Sequence, residues 1–314
     1  ASGAASAAGS AAASTKITVS WSALIPAVLP VWIADEAGIW KQNGLNVDLQ
    51  YIESSKGIPA MVSGQVQIAD IGGPETLAAV AGGADLVTIG GNSPVWPFLL
   101  QVPASIKTIN DIKGKKIGVS NFGSASDIAT RVALKHANLD PDKDVSILAV
   151  GSASNRIAAM EGGAIQGGLS YPPESLRLEK EGFHTLIDLA AEKLPGNTAS
   201  TVVPRSYLNA NKAVVQKYED SMVQAIARVK KDKAFTVNVL KKYFKSDDTA
   251  AMDAAYDYFA TQVFPALPYP TIEQYKDAKD ALGAKNDAVK NYDVSKMLDR
   301  SFVDSAAQRG LDKQ

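Results

Sequence analysis

Residues 114–139 read GKKIGVSNFGSASDIATRVALKHANL. Ile117, Gly118 and Val119 make a short run suited to a buried strand, and from Asp127 onward apolar residues such as Ile128 and Val132 recur at helical spacing. Between them, Ser120 to Ala125 is a Gly/Ser turn. The stretch predicts a strand, a loop and a helix start. A helix N-terminus leaves backbone N–H groups unpaired and carries partial positive charge, so Gly123, Ser124 and Ser126 fall where a loop can cradle an anion or polar group. Ser124 and Ser126 can equally cap the helix, as in any strand-to-helix connection.

The same order recurs upstream. Ile17 to Ser20 reads as a strand, and a helix runs from Pro26 to about Ile39 until Lys41-Gln42-Asn43-Gly44 stops it. Asn46 to Ile52 alternates as a second strand, Ser54-Ser55-Lys56-Gly57 opens a helix, and Val66 to Ile71 is a third strand. Gly72-Gly73-Pro74-Glu75 follows as a loop, with proline well placed at a helix start. Alternating strands and helices predict an α/β chain with mostly parallel pairing.

Residues 60–75, AMVSGQVQIADIGGPE, align without a gap on residues 159–174, AMEGGAIQGGLSYPPE. Such a repeat implies two lobes of similar build. The expected division puts residues 16–104 and 202–314 in lobe one and 105–201 in lobe two. The chain would leave lobe one near Gln101 to Thr108 and return at Ala199 to Pro204, two crossings that can serve as a hinge. Helices starting near Asn211, Ser246, Thr271 and Asp293 are expected on lobe one. Loops after parallel strands gather at one sheet edge, where open α/β sheets bind ligands, so the two edges should face each other across a cleft.

At 314 residues and 46% apolar content the chain can bury a sizeable core in two lobes. Its net charge of −1 gives no electrostatic case for nucleic acid. No apolar run approaches the roughly 18–20 residues of a membrane span. The absence of cysteine excludes disulfides, thiol catalysis and thiolate zinc sites. His136 and His184, the two histidines, read as structural. Residues 1–15, ASGAASAAGSAAAST, read as a flexible tether from which a signal sequence has been removed, with a lipid anchor as one possible upstream attachment.

Several phrases in order carry a family resemblance: PVWIADEAGIWKQNGLNVDL (30–49), MVSGQVQIADIG (61–72), GADLVTIGG (83–91), INDIKGKKIGVSNFGSASD (109–127) and RIAAMEGGAIQGGLSYPPE (156–174). The chain resembles extracytoplasmic solute-binding proteins of ABC importers in the nitrate/sulfonate/taurine and thiamine-precursor-like group. The resemblance implies the two-lobed type II periplasmic-binding fold, no cofactor, and a small-molecule solute delivered to a permease and its ATPase. A monomer is expected. Related pyrimidine synthases use a cysteine-rich segment that this chain lacks, which speaks against an enzyme.

Trp21, Trp96, Phe122 and Tyr171 fall on predicted cleft loops and could enclose an apolar ligand body, which favours an organic solute. Ser22, Ser54, Ser93, Ser124, Ser126 and Asn197, with the Gly73-Pro74 loop, are candidate polar contacts. Lys56 and Arg156 sit at matching points of the two lobes; each reads as a surface charge that could also neutralise a carboxylate or sulfonate. Glu75 and Glu174 are matched first-turn carboxylates, favoured by the helix dipole or engaged in a closed-lobe or permease contact. The expected function is capture of a small organic anion by hinge closure. Its rivals are a ligand sensor and an enzyme using Glu75 or Glu174 as acid or base.

Overall fold

The computed structural model describes residues 15–313. The tether expected at residues 1–15 lies outside them except for Thr15, which opens the first strand.

Strands β1 (Thr15–Trp21), β2 (Leu45–Tyr51), β3 (Ile68–Ile71), β4 (Leu86–Gly91), β5 (Leu99–Pro103), β6 (Lys116–Val119), β7 (Ser146–Ala149), β8 (Gly167–Ser170), β9 (Phe183–Asp188) and β10 (Ser200–Pro204) form two five-stranded sheets. The helices between the strands are α1 (Leu29–Glu36), α2 (Ile39–Gln42), α3 (Ser54–Val62), α4 (Gly73–Ala81), α5 (Ala125–His136), α6 (Ala153–Glu161) and α7 (Glu174–Lys180). After β10 come α8 (Arg205–Ala210), α9 (Lys212–Lys231), α10 (Lys233–Phe244), α11 (Thr249–Tyr258), α12 (Glu273–Gly283), α13 (Asp287–Asn291) and α14 (Ser301–Gln308).

Strand order is β2-β1-β3-β10-β4 in the first sheet and β7-β6-β8-β5-β9 in the second, the same plan twice. β3 and β8 occupy identical positions in the repeated frame, and all four residues of each are buried. The edge strands β2 and β7 are largely exposed, as expected where one face and one edge meet water. In each sheet the fourth strand runs antiparallel to its neighbours and is supplied by the chain crossing over from the other half.

That exchange corrects the expected boundary. β5 bonds to β8 and β9, so the outward crossing is residues 92–98 rather than Gln101 to Thr108; on the return, Ser200 and Thr201 already belong to the first sheet. Backbone bonds tie the crossings together, Ser93 N–H to the Ala199 carbonyl at 3.2 Å, Trp96 N–H to Leu194 at 3.1 Å and Gly196 N–H to Pro94 at 3.1 Å.

α1 packs on α9, α14 on α9 and β4, and α12 on α4 and α5, so the C-terminal helices cover the first half and α12 also touches the second. Asp293 caps a short 3-10 turn, Val294–Met297, instead of starting a helix; α14 begins at Ser301. Among the described residues no helix is long and apolar enough to cross a membrane.

Candidate functional site

A cleft of about 1130 Å³ lies between the two sheets. Its walls are the loops that leave β1, β2 and β3 on one side and β6, β7 and β8 on the other, joined by residues of α1, α10 and α12. Ten of the singled-out residues line it: Trp21, Ser22, Ser54, Glu75, Phe122, Gly123, Ser124, Ser126, Arg156 and Tyr171.

Seven do not. Ser93, Trp96 and Asn197 belong to the paired crossings and are fully buried there. The Ser93 hydroxyl donates to the Val95 carbonyl at 3.1 Å, the Trp96 indole lies against the Cα of Gly196, and the Asn197 side-chain oxygen accepts from Ser200 at 2.6 Å. Gly73 and Pro74 are buried in the first turn of α4, where the Gly73 N–H donates to the Asn197 carbonyl at 2.9 Å. Lys56 is exposed on α3, away from the cleft. Glu174 lies outside the cleft at the start of α7, and burial pushes its carboxyl up to about 7.

The aromatic wall is larger on the first side than the sequence suggests. Trp21 meets Tyr51 at 4.7 Å and Tyr243 at 6.1 Å between ring centres, and both tyrosines line the cleft. Tyr51 was within reach of sequence reasoning, because it pairs directly with Trp21 at the ends of β1 and β2. Tyr243 arrives on α10 and has no sequence signal. Opposite, Phe122 is 64% exposed, and Tyr171 packs on Phe98 at 6.2 Å. The Tyr171 hydroxyl donates to the Leu24 carbonyl at 2.9 Å, a bond across the cleft.

In the Ser120–Ser126 loop the hydroxyls serve the loop itself. Ser124 donates to the Asn121 carbonyl at 2.7 Å, and Ser126 accepts from the Ser120 N–H at 2.9 Å. Ser124 holds the N-cap position without a side-chain cap bond, so the expected cap is absent. Gly123, at φ +80°, makes the turn, and its N–H donates to Asp127 at 2.8 Å. Glu75, reaching from α4, lies close enough to the Ala125 N–H to be held down by it, although burial wins and raises the Glu75 carboxyl. Its Oε2 is buried without a hydrogen-bond partner.

Arg156 is the largest departure from expectation. Instead of a solvated charge it is only 2% exposed. Its stem crosses the middle of the second sheet, where a Cβ on Gly118 would meet it at 3.3 Å and one on Gly168 at 3.0 Å. The two mid-strand glycines open the slot it occupies. Nε donates to the Leu169 carbonyl at 2.7 Å and Nη1 to the Ser120 hydroxyl at 3.1 Å. Burial lowers its pKa, while Tyr171 and Glu174 pull the other way; a guanidinium nevertheless stays charged. No carboxylate among the described residues comes within ion-pair distance of it. A buried charge without an ion-pair contact is expensive even with Glu174 acting on it at longer range, and this one faces a cleft flanked by the N-termini of α5 and α6. The arrangement can bind an anion under an aromatic lid. Among the described residues, no group of acidic or histidine side chains is arranged to hold a metal.

Two sheets of matched order, joined by a paired crossing around an aromatic cleft, define a two-lobed α/β protein of the periplasmic-binding fold. The chain belongs to the NMT1/THI5-like family, whose model matches residues 25–233. A Brucella abortus protein provisionally named as a binding protein is 26% identical over 226 residues, covering 68% of this chain and 67% of that one. The structure of the periplasmic aliphatic sulphonate binding protein SsuA from Escherichia coli superposes with a TM-score of 0.74 at 19% identity, over 92% of this chain and 99% of that one. A DszB mutant in complex with biphenyl-2-sulfinic acid gives a TM-score of 0.70 at 15% identity, over 94% and 99%.

Proposed function

We propose that the protein is the extracytoplasmic solute-binding component of an ABC importer. It captures a small organic anion of the sulfonate or aromatic carboxylate class and delivers it to a membrane permease served by an ATPase, acting as a monomer and without chemistry of its own. The observation that carries this reading is Arg156, a guanidinium buried in the cleft with no carboxylate partner. An anionic solute supplies the ion-pair contact that Arg156 lacks, and Trp21, Tyr51, Phe122, Tyr171 and Tyr243 supply the apolar surround. The sulphonate bound by SsuA and the aromatic sulfinate held by DszB are solutes of this kind on the same fold.

Capture works by closure. A solute that touches both sides favours the closed form by its differential affinity, and the paired crossings of residues 92–98 and 189–199 supply the hinge. Small-angle scattering with and without saturating arenesulfonate tests it: the radius of gyration should fall on binding. A ligand that binds without compaction would contradict closure, and conversion of the bound compound into another would place the protein among enzymes of the fold.

A further inference from the structure

The first turn of α5 finds no cap in its own half. Ala125 opens the helix, so its N–H has no acceptor within it, and Ser124 at the N-cap gives its hydroxyl to the Asn121 carbonyl instead. The acceptor that reaches Ala125 comes from the other side of the cleft. The Glu75 carboxyl, in the first turn of α4, takes the Ala125 N–H as well as its own. α4 and α5 pack against each other, and Glu75 and Ala125 both line the cleft. A capping side chain normally stands on the residue just before its helix. Here it belongs to the opposite half, so this cap holds only while the halves are together.

Two further contacts span the same gap. Leu282 of α12 lies over Gly123, where a Cβ would stand 3.4 Å from its Cδ2, and the Tyr171 hydroxyl donates to the Leu24 carbonyl at 2.9 Å. All three join groups of the chain itself, so they favour closure whatever the cleft holds. We infer that Glu75 is a latch: by capping α5 from the opposite half it stabilises the closed arrangement independently of the solute. The inference rests on the closure reading given above and not on the class of solute. Such a latch sets the population of the closed form before binding, and apparent affinity follows that population. One N–H bond to a carboxyl shifts the closed-to-open ratio by about 10-fold.

Small-angle scattering and calorimetry of two variants that cut the bond from opposite ends test it. E75A removes the acceptor. A125P removes the donor alone: proline is favoured at the first helical position, and Ser124, at φ −75° and ψ 166°, already has the extended backbone that a following proline requires. Each variant should have a larger unliganded radius of gyration than the wild type, the same radius at saturating benzenesulfonate, and about 2- to 10-fold weaker benzenesulfonate binding. The double variant should be no more open than either single one. E75Q keeps an oxygen for the Ala125 N–H and should stay close to the wild type; thermal melts verify folding. Unliganded radii equal to that of the wild type in both E75A and A125P overturn the latch and leave closure standing. Opening in E75A that A125P does not share overturns it as well, since Glu75 then acts elsewhere. Benzenesulfonate that binds without compaction in the wild type and the variants overturns closure, and the latch with it. The unliganded comparison decides the latch even where no sulfonate binds.

Discussion

Glu75 and Glu174 stand at the same point of the repeated frame, and Lys56 and Arg156 at nearly the same point, yet their fates are exchanged. In the first half the acid faces the cleft and the base points to solvent. In the second half the base is buried at the cleft and the acid sits behind it. Backbone room accounts for the exchange. Gly72 leaves space for the Glu75 carboxylate, whereas Gly118 and Gly168 leave a slot for the Arg156 stem. One architecture used twice thus places an acid, Glu75, at one wall of the cleft and a base, Arg156, at the other, which a pair of identical lobes could not.

The largest effect expected from breaking this asymmetry is at Arg156. R156M should weaken arenesulfonate binding by about 100-fold or more, the usual loss when one member of a buried charge pair is removed. Without ligand its melting temperature should equal or exceed that of the wild type, because an unpaired buried charge is gone; a large loss of stability would mark Arg156 as structural.

The core of the first half makes a smaller, pH-dependent contribution. Asp70 on β3 and Glu219 on α9 are buried without an ion pair, whereas the neighbouring Asp220 is paired with Arg309. Burial pushes Asp70 up to about 7, against a bond from Asn92, and Glu219 up to about 8, against the Thr201 hydroxyl. Both are raised above their unfolded values, so their contribution to stability is complete below about pH 4 and is lost as pH rises through about 7 and 8. Urea melts from pH 5 to pH 8 should show falling stability, and D70N should remove about 2 kcal/mol of that fall, as follows from about 1.4 kcal/mol per pKa unit. A wild-type protein equally stable at both pH values would contradict the shift.

Smaller still is the bond across the cleft. Y171F loses the donor to the Leu24 carbonyl and should weaken solute binding by about 2- to 10-fold, the worth of one neutral hydrogen bond, with an unchanged far-UV spectrum. K56A, the exposed counterpart of Arg156, should alter neither binding nor stability by more than about 0.5 kcal/mol. An effect at Lys56 as large as that at Arg156 would erase the distinction between the halves.

Periodicity made the element order legible, because a strand–loop–helix phrase needs only local alternation, and the repeat at 60–75 and 159–174 lands on β3 and β8 in register. The crossings were misplaced by one strand because Leu99–Pro103 is an ordinary buried strand, and nothing local says which sheet it joins. The same exchange put Ser93, Trp96 and Asn197 in the paired crossings rather than on the cleft lining. Loop position found most of the second wall. It missed Tyr243 and Thr198, which reach the cleft only through long-range packing. Arg156 lies at the cleft but buried instead of solvated; the mid-strand glycines Gly118 and Gly168 were the available sign that a long side chain crosses the sheet.

Native mass spectrometry of protein purified from its own cells, followed by denaturation and identification of what is released, tests the proposed capture of an anion at Arg156 most directly. The expected result is an unmodified organic anion of the sulfonate or carboxylate class that stays behind when R156M is purified in the same way. A neutral or purely cationic compound, retained equally by R156M, would contradict it.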